Sequence, residues 1–186
     1  MNLNKLIYNK IGESVYLDGI EYKHGKNSAD NFYETGSHAI YLSNKNYKYG
    51  YKFFIIKNIH YDRYKIEELH QIHLLLAEKD FAVLSHGLCT CQYENKIHYG
   101  LLVDKLRDEF PSKKRIFPIN EFKRFCRSVP GLKKQDNYFE MAIGKNWDIK
   151  YPELEFFVGE NNILYTDSGK PLLIDIDPRW KFNYEI

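Results

Sequence analysis

Apolar residues recur at helical spacing in the segment YKIEELHQIHLLLAEK, residues 64–79. Ile66, Leu69, Ile72 and Leu76 fall on one side of a helix, with polar residues between them. Residues 33–59, which precede it, predict a strand, a turn rich in Asn, Lys and Gly, and a second strand. This second strand, around residues 51–56, is apolar on both faces and is therefore expected to be covered on both sides.

The second half of the chain predicts two hairpins with helices between them. Glu94-Asn95-Lys96 separates two apolar runs, so residues 97–103 are expected to be the second strand of a hairpin. Pro118 is suited to the first turn of a helix, here to about residue 129, and Pro130-Gly131 ends it. A further helix is predicted over about residues 134–143.

The stretch NNILYTDSGKPLLIDID, residues 161–177, predicts the second hairpin. Its turn, Asp-Ser-Gly-Lys at residues 167–170, combines side chains that cap a turn with a glycine that allows positive φ. The first thirty residues contain turn signals at Asp18-Gly19 and His24-Gly25 but predict no clear element.

Length and composition indicate one ordinary domain, or two small lobes that share a cleft, in a reducing compartment. The 186 residues have 44% hydrophobic content, enough for a core, and contain three cysteines, an odd number without a CxxC pair. Cys89 and Cys91 alternate on a predicted strand, where buried free thiols are expected. Since no apolar run approaches the ~20 residues that cross a bilayer, we expect no membrane contact and a cytoplasmic protein, or one delivered into a host cell.

Charge is uneven, although the net charge is only +2. Residues 112–134 carry one acid, Glu121, and eight bases: Lys113, Lys114, Arg115, Lys123, Arg124, Arg127, Lys133 and Lys134. Such a stretch attracts an acidic or phosphate-bearing partner, although a solvated helix face has the same pattern more often. Nucleic acid is not the expected partner.

The order of the predicted elements, over about residues 33–180, resembles the protein kinase fold. The resemblance is to the compact, divergent kinases that phages and bacterial effectors encode. It implies an α+β protein with a bilobal kinase-like fold in one domain. Residues 1–103 would form a β-rich N-lobe, residues 104–110 a hinge, and residues 111–186 a strongly reduced helical C-lobe, with ATP and Mg²⁺ bound between the lobes.

The same resemblance implies the metal and phosphate ligands. Asn162, before the last hairpin, and Asp175, after it, match the residues that hold Mg²⁺ in kinases, with Asp177 as the competitor of Asp175. Lys52, within an apolar strand, matches the lysine that binds the nucleotide phosphates, and Glu68 on the next helix matches its partner. Lys57 and Glu67 are the alternatives to this pair.

Three further parts of the site follow the pattern less closely. Gly36 is the one glycine left in the expected phosphate-covering loop, YETGSHAIY. The hinge, in HYGLLVDKL, would bind adenine through backbone groups near Val103 and Lys105. The position five residues before Asn162, where kinases have their catalytic Asp, is Phe157, so Asp148 in the segment NWDIK is the candidate base.

The resemblance therefore implies an ATP- and Mg²⁺-dependent phosphotransferase, with a Ser/Thr side chain of a host or partner protein as acceptor. If Asp148 is not the base, the chain is a catalytically inactive kinase-like module that inhibits or recruits a partner. A small-molecule kinase is the second alternative.

Overall fold

Ten strands and two helices make up the part of the chain that the structure, a computed structural model, describes: residues 5–25, 30–36, 39–55, 61–105, 115–128, 163–166, 168–174 and 176. In chain order the elements are β1 (Lys5–Ile11), β2 (Ser14–Leu17), β3 (Ile20–His24), β4 (Asn31–Thr35), β5 (Ile40–Asn44), β6 (Tyr49–Phe53), α1 (Arg63–Glu78), β7 (Ser85–Tyr93), β8 (Lys96–Asp104), α2 (Ile119–Ser128), β9 (Ile163–Tyr165) and β10 (Pro171–Leu173). Neither α1 nor α2 has the length and apolar character that crossing a membrane requires.

Eight strands close into a barrel in the order β1-β2-β3-β4-β5-β6-β8-β7. The five strands from β4 to β7 in this order pair antiparallel. β1, β2 and β3 form an antiparallel meander. The meander joins the other strands through two short parallel pairings, β3 with β4 and β1 with β7. Closure leaves neither sheet edge with a row of unpaired backbone groups.

The expectation of a bilobal kinase-like fold is wrong. The described residues form a closed eight-stranded barrel with two helices, and not a β-rich N-lobe followed by a helical C-lobe. The error arises within residues 5–24, which predicted no element and which supply three of the eight strands. β3 pairs in parallel with the next strand, β4, but β1 pairs with β7, which is distant in sequence, so local pattern does not reveal that the sheet closes.

Most of the local elements were predicted correctly. α1 and α2 begin and end within one residue of the expected helices, and β7 and β8 form the expected hairpin. Glu94 and Asn95 in its turn have positive φ of 48° and 62°, as a two-residue type I′ turn requires. β9 and β10 pair antiparallel, as the last hairpin should, with Gly169 at a φ of 78° in the turn. The helix expected at 134–143 lies outside the described residues.

The chain divides into two compact units. The first, Met1–His70 with Leu84–Lys105, contains the barrel. Alternate residues of its strands point inward, and ten of them form the buried interior: Tyr8, Val15, Leu17, Tyr22, Tyr33, Ile40, Leu42, Phe53, Cys89 and Cys91. The Tyr33 hydroxyl donates to the Glu13 carbonyl at 2.8 Å, so an aromatic residue of this interior keeps a hydrogen bond.

The second unit, Gln71–Val83 with Leu106–Ile186, contains the end of α1, α2 and the last hairpin. Phe81 is its centre, because its ring lies 5.4 Å from that of Phe122 and 5.6 Å from that of Phe125, between centroids. The backbone on either side of Ala82 bonds to β10: Leu173 N–H donates to the Phe81 carbonyl, and Val83 N–H donates to the Leu173 carbonyl, both at 2.9 Å. The segment around Ala82 therefore lies parallel to β10 and extends the hairpin by a third segment.

Candidate functional site

Lys52 is the central residue of the candidate site. Its neighbours on β6, Tyr51 and Phe53, pack with the barrel interior, so the alternation of a strand directs Lys52 to the outer face. Strand register pairs it with Tyr41 of β5 and Leu101 of β8. The residue is only 6% exposed, and its Nζ lies 5.6 Å from the centroid of the Phe54 ring. Burying an ammonium group is costly, so this position requires a physical reason.

On the same outer face, the neighbouring set of residues that face one another across the strands includes Gly50. Register aligns Phe32, Ser43, Gly50 and Val103 across β4, β5, β6 and β8. The Tyr41 ring lies directly on Gly50, since a Cβ added there would overlap its hydroxyl and ring carbons. We refer to the surface formed by Phe32, Tyr41, Gly50, Lys52, Leu101 and Val103 as the Lys52 face.

The hydroxyl of Tyr41 is held in the neutral state. Burial raises the pKa of Tyr41 to about 12, the hydrogen bond with Ser43 opposes this rise, and the charge of Asp104 adds to it. Ser43 also donates to the Tyr49 carbonyl at 3.2 Å, which ties the Tyr41 contact to the backbone of β6. Tyr41 therefore contributes a neutral ring and a hydrogen-bonding hydroxyl, and no charge, to the Lys52 face.

Glu68, the expected partner of Lys52, lies on α1. Its Oε2 accepts from Lys65 Nζ at 2.7 Å, and its side chain is 10% exposed. The alternative, Glu67, pairs with Arg63 at 2.7 Å and is 43% exposed. Glu68 is thus the acid of this helix that is turned away from solvent, and the pairing with Lys52 stays a prediction.

The expected hinge groups have structural contacts of their own. Val103 is buried beside Gly50 on the Lys52 face. Lys105 donates its backbone N–H to the Lys48 carbonyl at 2.9 Å, and its Nζ donates to the carbonyls of Asn44 and Lys45 at 2.8 and 2.7 Å. The same Nζ lies 5.5 Å from the Phe32 ring centroid. Lys105 therefore stabilises the turn between β5 and β6 and adds positive charge beside the Lys52 face.

Gly36 lies in the connection between β4 and β5. It is exposed, and its N–H donates to the Ala39 carbonyl at 2.8 Å. That N–H closes the turn and is already used, so it is not free to donate to a phosphate.

The remaining expected residues lie outside the described residues: the candidate base Asp148, the metal ligands Asn162 and Asp175, and the alternatives Lys57 and Asp177. The hairpin that separates Asn162 from Asp175 is described. Ile163, which follows Asn162, pairs with Leu173 in the register of β9 and β10. Among the residues that the structure describes, no group of three or more His, Cys, Asp or Glu side chains could hold a metal.

Two histidine contacts were not predicted from the sequence. His86 Nε2 lies 2.7 Å from Asp104 Oδ1, and its ring contacts that of Tyr49 with centroids 4.5 Å apart. His70 Nδ1, on α1, lies 2.8 Å from the hydroxyl of Ser85. Burial lowers the pKa of His70, and His86 lowers it further. The chain separations of 18 and 15 residues explain why no local motif revealed either pair.

Tyr41 was also not predicted as a site residue, although the sequence contains a signal for it. If β5 and β6 form a hairpin, the alternation of a strand places Tyr41 and Lys52 on the same face of the sheet. A glycine two residues before a buried lysine then indicates that another group packs closely on the backbone.

No protein-family model matches the chain, and no match is found among curated proteins. The function is therefore argued from the residues themselves.

Proposed function

We propose that this chain is an ATP- and Mg²⁺-dependent phosphotransferase in which Lys52 binds the phosphates of the nucleotide. The burial of Lys52, in the middle of a strand and on an otherwise largely apolar face, is the observation that carries the proposal. A lysine held in this way gives up hydration, which is costly, and a role in binding an anion would explain why a lysine occupies the position. A phosphate group would be stabilised strongly by an ammonium in such surroundings.

The neighbours of Lys52 favour a ligand that has both a planar ring and an anionic group. Phe32 supplies an aromatic ring, whose centroid lies 6.4 Å from that of Tyr41. Lys105, above Phe32, supplies a second positive charge. A nucleoside triphosphate combines an aromatic base with several negative charges, so it fits this chemistry better than a purely apolar or purely anionic molecule does.

The proposed metal ligands and base come from the last forty residues of the chain. Asn162 and Asp175 offer the hard oxygen ligands that Mg²⁺ prefers, and Mg²⁺ would neutralise charge on the phosphates. Asp148 would orient the attacking hydroxyl. We infer a protein Ser/Thr acceptor, and an acidic or phosphate-bearing partner at residues 112–134, where the described side chains of Arg115 and Arg124 are exposed. Cys89 and Cys91 are buried free thiols, in agreement with a reduced compartment such as the cytoplasm.

Nucleotide binding by the Lys52→Met variant tests the proposal. Methionine keeps the length of the side chain and removes the charge, so the variant should fold. Wild-type protein with MgATP at a hundredfold excess over Kd should gain about 2.7 kcal/mol of stability, measured as a shift of Tm. Lys52→Met should lose this shift, whereas Lys48→Met, which changes an exposed lysine near β6, should keep it.

Transfer is measured separately, with γ-labelled ATP and a general protein acceptor such as casein. Asp148→Ala should bind MgATP and fail to label the acceptor, and Asp175→Ala should lose the dependence of binding on Mg²⁺. An equal Tm shift in wild type and Lys52→Met would refute the assignment of Lys52. Binding without any transfer in the wild type would favour the alternative, a nucleotide-binding module without catalysis.

A further inference from the structure

The ring of Tyr41 packs directly on the backbone of Gly50. At Gly50 any side chain would collide with the hydroxyl and the ring carbons of Tyr41. Glycine inside a strand weakens it, because it packs nothing and loses more conformational freedom on folding. Gly50 therefore keeps open a space of the thickness of an aromatic ring, and in this structure the ring of Tyr41 fills that space.

The exposure of the surrounding side chains distinguishes Tyr41 from fixed core residues. Phe32 and Val103, on either side of this space, are 2% and 4% exposed, whereas Tyr41 is only half-buried. Rotation of the Tyr41 side chain about χ1 would leave the barrel interior undisturbed, because that interior lies on the other face of the sheet.

Lys52 lies two residues beyond Gly50 on the same strand and the same face. Two residues of a strand span about 6.6 Å, which is comparable to the length of a small aromatic ring system. A ligand ring on Gly50 would therefore bring a phosphate attached to it near the ammonium of Lys52. Ser43, which neighbours Gly50 in the register and bonds Tyr41 here, would be left to hydrogen-bond the edge of the ligand ring.

We propose that Tyr41 occupies a ring-binding subsite over Gly50 and that the aromatic ring of a bound ligand displaces it. The identity of the ligand as a nucleotide rests on the proposed function, whereas the subsite itself does not. Tyr41 acts as an internal competitor, so the apparent affinity for the ligand is lower than the intrinsic affinity by the fraction of molecules in which the ring has moved away.

Affinity for MgATP and for adenosine, measured by calorimetry, tests the subsite. Tyr41→Ala should bind both about tenfold or more tightly than wild type, because the competing ring is gone. Tyr41→Ala combined with Gly50→Val refills the space with a side chain suited to a strand, and should lose this gain. Tyr49→Ala, which removes a ring from the adjacent position of β6 on the opposite face, is the matched control and should leave both affinities unchanged.

The two ligands separate the failure of the subsite from the failure of the phosphotransferase proposal. If Tyr41→Ala binds both ligands no more tightly than wild type does, the subsite is overturned, even if MgATP binds through Lys52. Adenosine that binds Tyr41→Ala but not the Gly50→Val double variant supports the subsite, even if MgATP gains nothing from its phosphates. The absence of any ring binding to a folded Tyr41→Ala variant also overturns it.

Discussion

Burial of single side chains sets the chemistry of this protein more than their identity does. Lys52, on β6, is buried, whereas Lys48, just before β6, is exposed. The two thiols of β7 are likewise withdrawn from solvent. Burial raises the pKa of Cys91 to about 12, and it also raises that of Cys89, helped by Cys91. Because the thiolate is the reactive form, both should be inert in the folded chain.

Thiol labelling checks this directly. In a Cys126→Ser background, folded protein at pH 8 should react with iodoacetamide about a thousandfold more slowly than an unfolded cysteine, since the fraction of thiolate falls tenfold for each unit that the pKa rises. The same protein in denaturant should label both thiols rapidly. Labelling of the folded chain at the rate of an exposed thiol would contradict the closed interior around Cys91.

His70 should make stability depend on pH. Burial and His86 lower its pKa below the unfolded value of 6.5, so the unfolded chain binds more protons between the two pKa values. Stability from this group is present above pH 6.5 and is lost as the pH falls toward the folded pKa.

Denaturant midpoints measured from pH 7.5 to pH 5 should therefore fall, and they should fall less in His70→Asn, which cannot be protonated but can still bond to Ser85. His24→Asn changes an exposed histidine and serves as the control. An identical pH dependence in wild type and His70→Asn would show that the cause lies elsewhere.

At the scale of the element, the sequence determined the helices and hairpins well, because the information is local. The four residues of α1 that recur at helical spacing, Ile66, Leu69, Ile72 and Leu76, are all completely buried, as their spacing predicted. The strand predicted at residues 97–103 is also present within β8, but its sequence does not reveal that Gly100 lies against a neighbouring backbone. A Cβ there would collide with the Lys52 carbonyl and lie 2.8 Å from a ring carbon of Phe53.

Gly100→Ala should therefore destabilise the barrel by about 1–3 kcal/mol, the usual cost of overpacking, because a strand backbone cannot move aside as a side chain can. Urea denaturation measures the effect. Ile97→Ala, at an exposed position of the same strand, should change stability by no more than about 0.5 kcal/mol. A neutral Gly100→Ala would mean that β6 and β8 can separate at this point without cost.

At the scale of the molecule, residues 5–24 are an integral part of the barrel. Four of its ten buried interior residues, Tyr8, Val15, Leu17 and Tyr22, come from β1–β3. The meander closes the barrel through only five parallel residue pairs, three with β7 and two with β4. Hydrophobic packing, more than backbone pairing, should therefore hold it in place.

Leu17→Ala tests this role. The side chain is 3% exposed, so its truncation should cost about 2–5 kcal/mol. Ile20→Ala, on the next strand and 47% exposed, should cost far less. Chemical denaturation of both variants distinguishes an integral meander from a peripheral one, for which Leu17→Ala would leave the unfolding free energy unchanged.

The sequence by itself determined α1, α2, the two predicted hairpins and the burial of the two thiols, because helical spacing, alternation and turn residues act over a few positions. It also drew attention to Lys52, since a charge within an apolar strand is visible without a structure. Only the tertiary structure decided that the sheet closes, that Tyr41 covers Gly50, and that His86 meets Asp104. These depend on which strands become neighbours, and the free energy that selects the neighbours comes from burying a shared interior, which no local pattern records.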